Sequence, residues 1–147
     1  MVVLREVDQQ NFEECCGLKR QSSKFVGNAE SVLAEAYIFR AHSTAYAIYN
    51  DDIVIGLVIV LDRPRSCDKY YSFTDLFIAD NFLGNGYGNQ AVQAILDKFR
   101  AEKKRDTVEI QVHQSNDIAN GIYTNYGFNK IKAADWDEHF DVMQLKI

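Results

Sequence analysis

Hydrophobic and polar positions follow two periods along the chain, one typical of strands and one of helices. Thr107–His113 alternates between apolar and polar residues, whereas Val92, Ile95, Leu96 and Phe99 recur at helical spacing. Helical spacing also marks three other segments. The predicted helices lie within 12–16, 29–37, 92–99 and 119–126. The predicted strands are 2–7, 44–49, 53–61, 70–79, 107–113, 128–133 and 140–147.

These elements follow the order β-α-α-β-β-β-α-β-α-β-β, with no internal repeat. Segment 53–61 is continuously apolar, so it should be a central strand buried on both faces. The strand–helix–strand unit between 70 and 113 should be parallel and right-handed, with antiparallel hairpins on either side. The sequence therefore predicts one α/β (α+β) domain over 1–147, with a mixed, mostly antiparallel sheet and helices on both faces.

The segment from Phe77 to Asn89 carries the strongest chemical signal. A strand enters a loop with glycines at 84, 86 and 88, and a helix follows directly. Glycines let a ligand approach the backbone closely, and the N–H groups at a helix start favour a phosphate. A flexible connector is the plainer interpretation. The glycines read G-x-G-x-G in mid-chain, which disfavours a dinucleotide fingerprint.

Composition and charge narrow the classes of partner. The 147 residues carry a net charge of −5, which disfavours nucleic acid and favours cationic substrates. The basic stretch 98–105 is interpreted as a solvated helix end. The longest apolar run is too short to span a bilayer, and the His and Cys residues show no metal-ligand spacing. Cys15, Cys16 and Cys67 are expected to be reduced thiols in a cytoplasmic protein.

A second motif follows the alternating strand. Asn116 opens a predicted helix that carries Ala119, Ile122 and Tyr123 and ends at Gly127-Phe128. Together with the glycine loop, this pattern resembles the GNAT superfamily of acyl-CoA N-acyltransferases. Leu83 departs from the family pattern, because Gln or Arg usually stands there and assists diphosphate binding.

The resemblance implies that acetyl-CoA is the acetyl donor and that it lies in a V-shaped opening between strands 70–79 and 107–113, without a metal. It implies that the backbone of Phe77 and Ile78 hydrogen-bonds the pantetheine arm. The other implied donor contacts are Leu83, Gly84, Asn85, Gly86, Tyr87, Gly88, Asn116, Asn120 and Tyr123.

The resemblance also favours Tyr123 as the acid that serves the departing thiolate, although periodicity alone fits a core tyrosine, and Tyr126 is the competitor on the same helix. A protonated amine acceptor needs a base. Asp75 is a candidate because it shares strand parity with apolar neighbours, where its pKa could be raised. The other candidates are Glu30, Glu109 and His113.

A closer resemblance is to bacterial spermine/spermidine acetyltransferases, carried by residues 21–31 and 73–78. It favours a polyamine acceptor, with carboxylates of Glu30, Glu35 and Asp75 near the cationic chain and Tyr37 or Tyr71 in cation–π contact. A protein N-terminus, an amino acid, an aminoglycoside or a non-catalytic acyl-CoA sensor stay open as alternatives. By analogy, a homodimer is also allowed.

Overall fold

The computed structural model describes residues 1–62 and 69–147, so Pro64 and Cys67 lie outside the described residues. The strands are β1 (Val2–Glu6), β2 (Thr44–Asn50), β3 (Ile53–Leu61), β4 (Ser72–Ile78), β5 (Thr107–His113), β6 (Asn129–Ala133) and β7 (Phe140–Lys146). The helices are α1 (Phe12–Cys16), α2 (Ala29–Ile38), α3 (Tyr87–Glu102) and α4 (Asp117–Asn125), with a short 3-10 turn at Asp80–Phe82. The predicted element order and mixed α/β fold are confirmed.

The strands form two antiparallel groups that meet at one point. One group has the order β1-β2-β3-β4 and the other the order β5-β7-β6. They are joined through a parallel bridge between Tyr71 and Val108, where Tyr71 N–H donates to Thr107 O (2.9 Å) and Glu109 N–H donates to Tyr71 O (2.8 Å). Beyond this bridge, β4 and β5 separate, as the V-shaped opening requires.

The sheet separates two hydrophobic cores. One core joins the sheet to α3 and α4 and includes Phe73, Ile95 and Phe99, whereas the other joins it to α1 and α2 and includes Val32, Leu57 and Phe77. Residues 54–60 of β3 are all buried, which confirms the prediction of a central strand. The helices therefore cover both faces and fix the positions of the strand ends.

Local capping explains where the helices near the opening begin and end. The side chain of Asn28 accepts the Ser31 N–H (2.8 Å) at the start of α2, as predicted. Gly127 follows the end of α4 with φ of +93°, a left-handed conformation that glycine adopts without strain, which confirms its predicted role. α2 belongs to one hydrophobic core and α4 to the other, so the two helices lie on opposite faces of the sheet.

Two findings bear on the chemistry that the chain can perform. Cys15 is fully buried, and burial raises the pKa of its thiol to about 11, so it has little thiolate character at neutral pH. Across 1–62 and 69–147, no helix combines the length and the apolar character that crossing a bilayer requires.

Candidate active site

The separated edges of β4 and β5 form the walls of the candidate site. The opposite edge of β4 pairs with β3, and the opposite edge of β5 pairs with β7. Within the described residues, the facing edges share only the bridge at Tyr71 and Val108. Backbone groups along the gap are therefore available to an extended ligand that lies between the strands.

The glycine loop lies at the end of β4 and presents free backbone donors. Gly84 and Gly86 adopt φ of +78° and +77°, and Gly86 occupies the N-cap position of α3 without a side-chain cap. Among the described residues, no protein acceptor is found for the N–H groups of residues 84–89. Several donors at a helix start form an anion site, because the helix dipole adds to their positive potential.

The side chains of this loop support its shape. Asn85 Nδ2 donates to the carbonyl oxygens of Phe82 and Leu83, each at 3.1 Å, so its side chain closes the turn. A Cβ added at Gly84 or Gly86 would have no atom within 4 Å, so open space lies beside the backbone there. The hydroxyl of Tyr87 accepts a hydrogen bond from the Asn50 amide (3.1 Å), which ties the start of α3 to the end of β2.

Tyr123 projects from α4 toward β4. Its ring contacts Phe73 and Phe128 edge-on, with centroid distances of 5.8 and 5.7 Å. Burial raises the pKa of this phenol well above its ordinary value, so it stays protonated. Its hydroxyl has no hydrogen-bond partner among the described residues, although buried tyrosines usually have one, and it is therefore available to a ligand. Tyr126, by contrast, donates to Asn89 O (2.8 Å).

Two asparagines fix the first turn of α4. Asn116 accepts the Ala119 N–H through its side chain (3.3 Å), which is the capping role that its spacing allows. Asn120 Nδ2 donates to His113 O (3.0 Å) and Asn116 O (2.9 Å). The Asn120 bond to His113 ties α4 to the wide end of β5, and the Asn116 Nδ2 and Asn120 Oδ1 groups stay available to a ligand.

Asp75 occupies a β-bulge in the middle of β4. The register with β3 shifts between Leu57 and Ile59, so that two β4 residues, Asp75 and Leu76, lie opposite Val58. Asp75 has φ of +52°, a conformation that Asp and Asn tolerate better than most residues. The prediction that Asp75 shares one face of the strand with its apolar neighbours is therefore wrong. Phe73 and Phe77 belong to different cores, and Asp75 points toward α2.

There the carboxyl groups of Asp75 and of Glu35 on α2 lie close enough together for each to shift the pKa of the other. Burial raises the pKa of Asp75, and burial together with the negative charge of Asp75 raises that of Glu35. The predicted direction for Asp75 is thus confirmed. Two carboxylates this close favour binding either a proton or a cationic group between them.

The structure does not bring Glu30 to this pair. It lies exposed in the first turn of α2 and precedes Glu35 by five residues, which places the two about 140° apart around the helix. Glu109 accepts from Gln144 Nε2 (2.7 Å) on the neighbouring strand β7. Tyr71 is wrong as a substrate contact, because it is fully buried and stacks on Phe99.

The α1–α2 loop, residues 17–28, crosses the wide end of the gap. Asp80 accepts hydrogen bonds from Ser22, Arg20 and the Gln21 N–H, and these bonds, that of Ser22 foremost, lower the pKa of Asp80. Farther along the loop, the Phe25 ring contacts the ring of His113 (centroids 5.3 Å). The loop is therefore held at the ends of both separated strands.

His113 belongs to an aromatic cluster that sequence reasoning did not identify. Its ring contacts Phe140 and lies 6.2 Å from His139, and Trp136 packs on Phe140 at 4.6 Å. His113 Nδ1 accepts the Ser115 N–H (3.1 Å), which leaves Nε2 to carry the proton of the neutral ring. Neither Phe25 nor Trp136 has a helical or strand period; Phe25 lies in the segment 21–31 that carries the resemblance, whereas no pattern marked Trp136. Within 1–62 and 69–147, no three His, Cys, Asp or Glu side chains are grouped as metal ligands.

Comparisons with known proteins agree with this geometry. Residues 8–128 match the acetyltransferase (GNAT) family. No curated protein matches the sequence significantly. Among solved structures, aminoglycoside acetyltransferase AAC(6')-Ib in complex with coenzyme A is 16% identical, with a TM-score of 0.81 over 99% of this chain and 95% of that chain.

Two other solved structures share the fold at the same coverage of 99% of this chain and 95% of theirs. A chimera of the Vibrio cholerae spermidine N-acetyltransferase and its hSSAT counterpart is 15% identical, with a TM-score of 0.76. An acetyltransferase from Salmonella typhimurium that modifies the N-terminal serine of a ribosomal protein is 14% identical, with a TM-score of 0.72. At these identities the three structures share a fold with this chain, and their acceptors differ from one another.

Proposed function

Since the chain belongs to the acetyltransferase (GNAT) family, whose members take the acetyl group from acetyl-CoA, we propose that it acetylates a primary amine, with a polyamine such as spermidine or spermine as the favoured acceptor. The observation that carries the proposal is the Asp75–Glu35 carboxyl pair beside the gap between β4 and β5. Such a pair suits a cationic amine, and it can also accept the proton that the amine must lose.

In this proposal the donor lies along the gap. The diphosphate binds the free N–H groups of residues 84–89, and the pantetheine arm pairs with the open edge of β4 at Phe77 and Ile78. Asn116 and Asn120 contact the arm from the start of α4. The thioester then lies between Tyr123 on one side of the sheet and Asp75 on the other.

The transfer proceeds by direct attack within a complex of both substrates. The amine loses a proton to the carboxyl pair, its nitrogen attacks the thioester carbonyl, and the C–S bond breaks to release the CoA thiolate. Tyr123 donates a hydrogen bond to that sulfur. A phenol is a weaker acid than a thiol, so Tyr123 stabilises the thiolate chiefly as a donor, and the thiolate takes its proton as it leaves the site.

Two features support a cationic, extended acceptor. The pair of carboxyl groups offers more negative charge than proton removal alone requires, and the protein as a whole carries a charge of −5. The aromatic side chains of Phe25, Phe140 and Trp136 lie along the wide end of the gap, where an ammonium group could bind their faces.

A thiol-release assay tests the proposal with spermidine, spermine, an aminoglycoside and a peptide with a free N-terminus as acceptors. We expect the highest kcat/KM with a polyamine. Asp75→Asn and Glu35→Gln should each lower it by about 10²-fold, whereas Glu30→Gln, which removes the same charge outside the pair, should leave it nearly unchanged.

Each alternative gives a different result in the same assay. Turnover confined to the aminoglycoside or the peptide would overturn the polyamine assignment while leaving the acetyltransferase chemistry intact. Acetyl-CoA binding without turnover on any amine would identify the acyl-CoA sensor instead. Equal losses in Glu30→Gln and Glu35→Gln would remove the special role of the carboxyl pair.

A further inference from the structure

Asp80, which follows β4, holds four consecutive residues of the α1–α2 loop. The Asp80 N–H donates to Lys19 O (2.8 Å), and the carboxylate accepts from Arg20 Nη1 (3.1 Å). The carboxylate also accepts from the Gln21 N–H (2.9 Å) and from the Ser22 hydroxyl. These four residues belong to no helix or strand, so the position of the loop depends on contacts of this kind. One residue therefore fixes the first part of the loop to the end of β4.

The Arg20 guanidinium makes the carboxylate of Asp80 difficult to replace. The Arg20 side chain is only 19% exposed, and its Nε has no hydrogen-bond partner among the described residues. A largely buried cation depends on its counter-charge, because a cation that loses its carboxylate has to regain water. Without the Asp80 carboxylate, segment 19–22 is therefore expected to move until water reaches the guanidinium.

Asp80 also lies directly before the glycine loop. Its carbonyl oxygen accepts the Leu83 N–H (3.4 Å) in the 3-10 turn, and the preceding residue, Ala79, donates to Ile55 O of β3 (2.8 Å). Asp80 thus contacts the approach to the glycine loop through its main chain and the α1–α2 loop largely through its side chain. A side-chain substitution can therefore release the α1–α2 loop while the main chain that leads to the glycine loop is retained.

The far end of the α1–α2 loop reaches two groups that the proposed function assigns to the acceptor. The ring of Phe25 contacts the ring of His113 at the end of β5 (centroids 5.3 Å). Asn28 then caps α2, the helix that carries Glu35. The position of this loop therefore bears on an aromatic face and on a carboxyl group at the wide end of the gap.

We propose that Asp80 is a positioning residue for the acceptor, because it holds the α1–α2 loop where Phe25 and the start of α2 lie at the wide end of the gap. The inference rests on the acetyl transfer proposed above, and it adds a residue that acts without touching either substrate. Since the effect of Asp80 passes through the loop, changes at Asp80 and at Phe25 should not act independently.

Steady-state kinetics with the preferred amine tests this role in Asp80→Ala. We expect KM for the amine to rise by about ten-fold, because a displaced loop no longer presents Phe25 to the acceptor. Acetyl-CoA affinity, measured by calorimetry, should stay within about two-fold, since the main chain before the glycine loop is unchanged. Asp80→Asn keeps an oxygen that can accept from the loop but lacks the charge that Arg20 requires, so KM should rise less.

The matched control is Asp97→Ala, which removes a hydrogen-bonded aspartate from an exposed position on α3 and should leave KM for the amine nearly unchanged. A double-variant cycle then separates positioning from a general loss of stability. Phe25→Leu should raise KM for the amine in the unaltered protein, but should add less than about two-fold in Asp80→Ala, where the ring is already displaced.

Amide hydrogen exchange measured by mass spectrometry needs no acceptor. Exchange over 19–28 should be faster in Asp80→Ala than in the unaltered protein or in Asp97→Ala. Unchanged exchange, an unchanged KM, or losses that multiply in the double variant would each overturn the role of Asp80 while leaving acetyl transfer intact. If the unaltered protein acetylates no amine, the proposed function fails, and the acceptor role of Asp80 fails with it.

Discussion

At the scale of single residues, Tyr123 and Tyr126 are a natural matched pair. They are three residues apart on one helix, yet the hydroxyl of Tyr126 donates to Asn89 O whereas that of Tyr123 has no partner among the described residues. If Tyr123 stabilises the departing thiolate, Tyr123→Phe should lower kcat by about 10- to 100-fold with little change in KM for acetyl-CoA. Steady-state kinetics with the preferred amine measures both constants.

Tyr126→Phe provides the control for this prediction, because it removes a hydroxyl whose bond joins α4 to α3. We expect a modest loss of thermal stability and a nearly normal kcat. Wild-type kcat in Tyr123→Phe would contradict the role assigned to Tyr123, and a rise in KM alone would mean that the hydroxyl serves only to bind the donor.

The Asp75–Glu35 pair makes a prediction about stability as well as activity. Both pKa values are raised in the folded chain, so the folded state holds more protons than the unfolded state between the ordinary and the raised values. Stability therefore falls as pH rises through that window. Asp75→Asn removes the repulsion while tolerating the φ of +52°, so it should raise the Tm at pH 7 by about 1–3 °C.

Thermal melts between pH 4 and pH 8 check the sign of this effect. The Tm difference between Asp75→Asn and the unaltered protein should be smallest at the acidic end of this range and should grow toward neutral pH. Glu30→Gln should show no such trend, since Glu30 is exposed and lies away from the pair. A difference that shrinks with rising pH would contradict the shared-proton account.

At the scale of elements, the start of α3 raises the question of what Leu83 does in place of the usual Gln or Arg. Its side chain is 43% exposed, and its backbone oxygen accepts the Asn85 amide. The diphosphate is then expected to bind through backbone N–H groups alone. Leu83→Arg should add a charge-assisted contact and tighten acetyl-CoA binding by about ten-fold, with a steeper dependence on salt.

Calorimetry at two salt concentrations measures this gain, and Leu83→Gln tests the neutral alternative. A smaller gain is expected for Gln, with little added salt dependence. Unchanged affinity in both variants would mean that the side chain at this position does not reach the diphosphate.

The helices and strands could be predicted from the sequence, because apolar residues on the buried face of an element recur with the period of that element. The alternation of 107–113 and the helical spacing from Val92 to Phe99 gave the right elements, and the glycines at 84 and 86 gave the right loop. The capping roles of Asn28 and Gly127 followed for the same reason, since only a few residue types suit those backbone positions.

The acid pair could not be derived in this way. A bulge inserts one residue and reverses the face of every later position, and nothing near Asp75 in the sequence signals it. Glu35 meets Asp75 across a tertiary contact between α2 and β4, which has no sequence period. Phe25 and Trp136 belong to irregular segments, so their approach to the wide end of the gap also depends on tertiary folding.

At the scale of the whole molecule, charge is unevenly distributed. The protein carries a net charge of −5, and two of its carboxyl groups pair beside the gap. If the acceptor is the proposed polyamine, this pair attracts it to the gap. The net charge alone would not have located the pair.

The single bridge between Tyr71 and Val108 has a consequence beyond catalysis. Within the described parts of the chain, two strand edges stay unpaired along the opening, and such edges readily recruit a strand from another molecule. A bound pantetheine arm would occupy that place and act as a guest strand. Protein prepared without its donor should accordingly be the form most prone to self-association, and saturating it with acetyl-CoA before concentration should keep it dispersed.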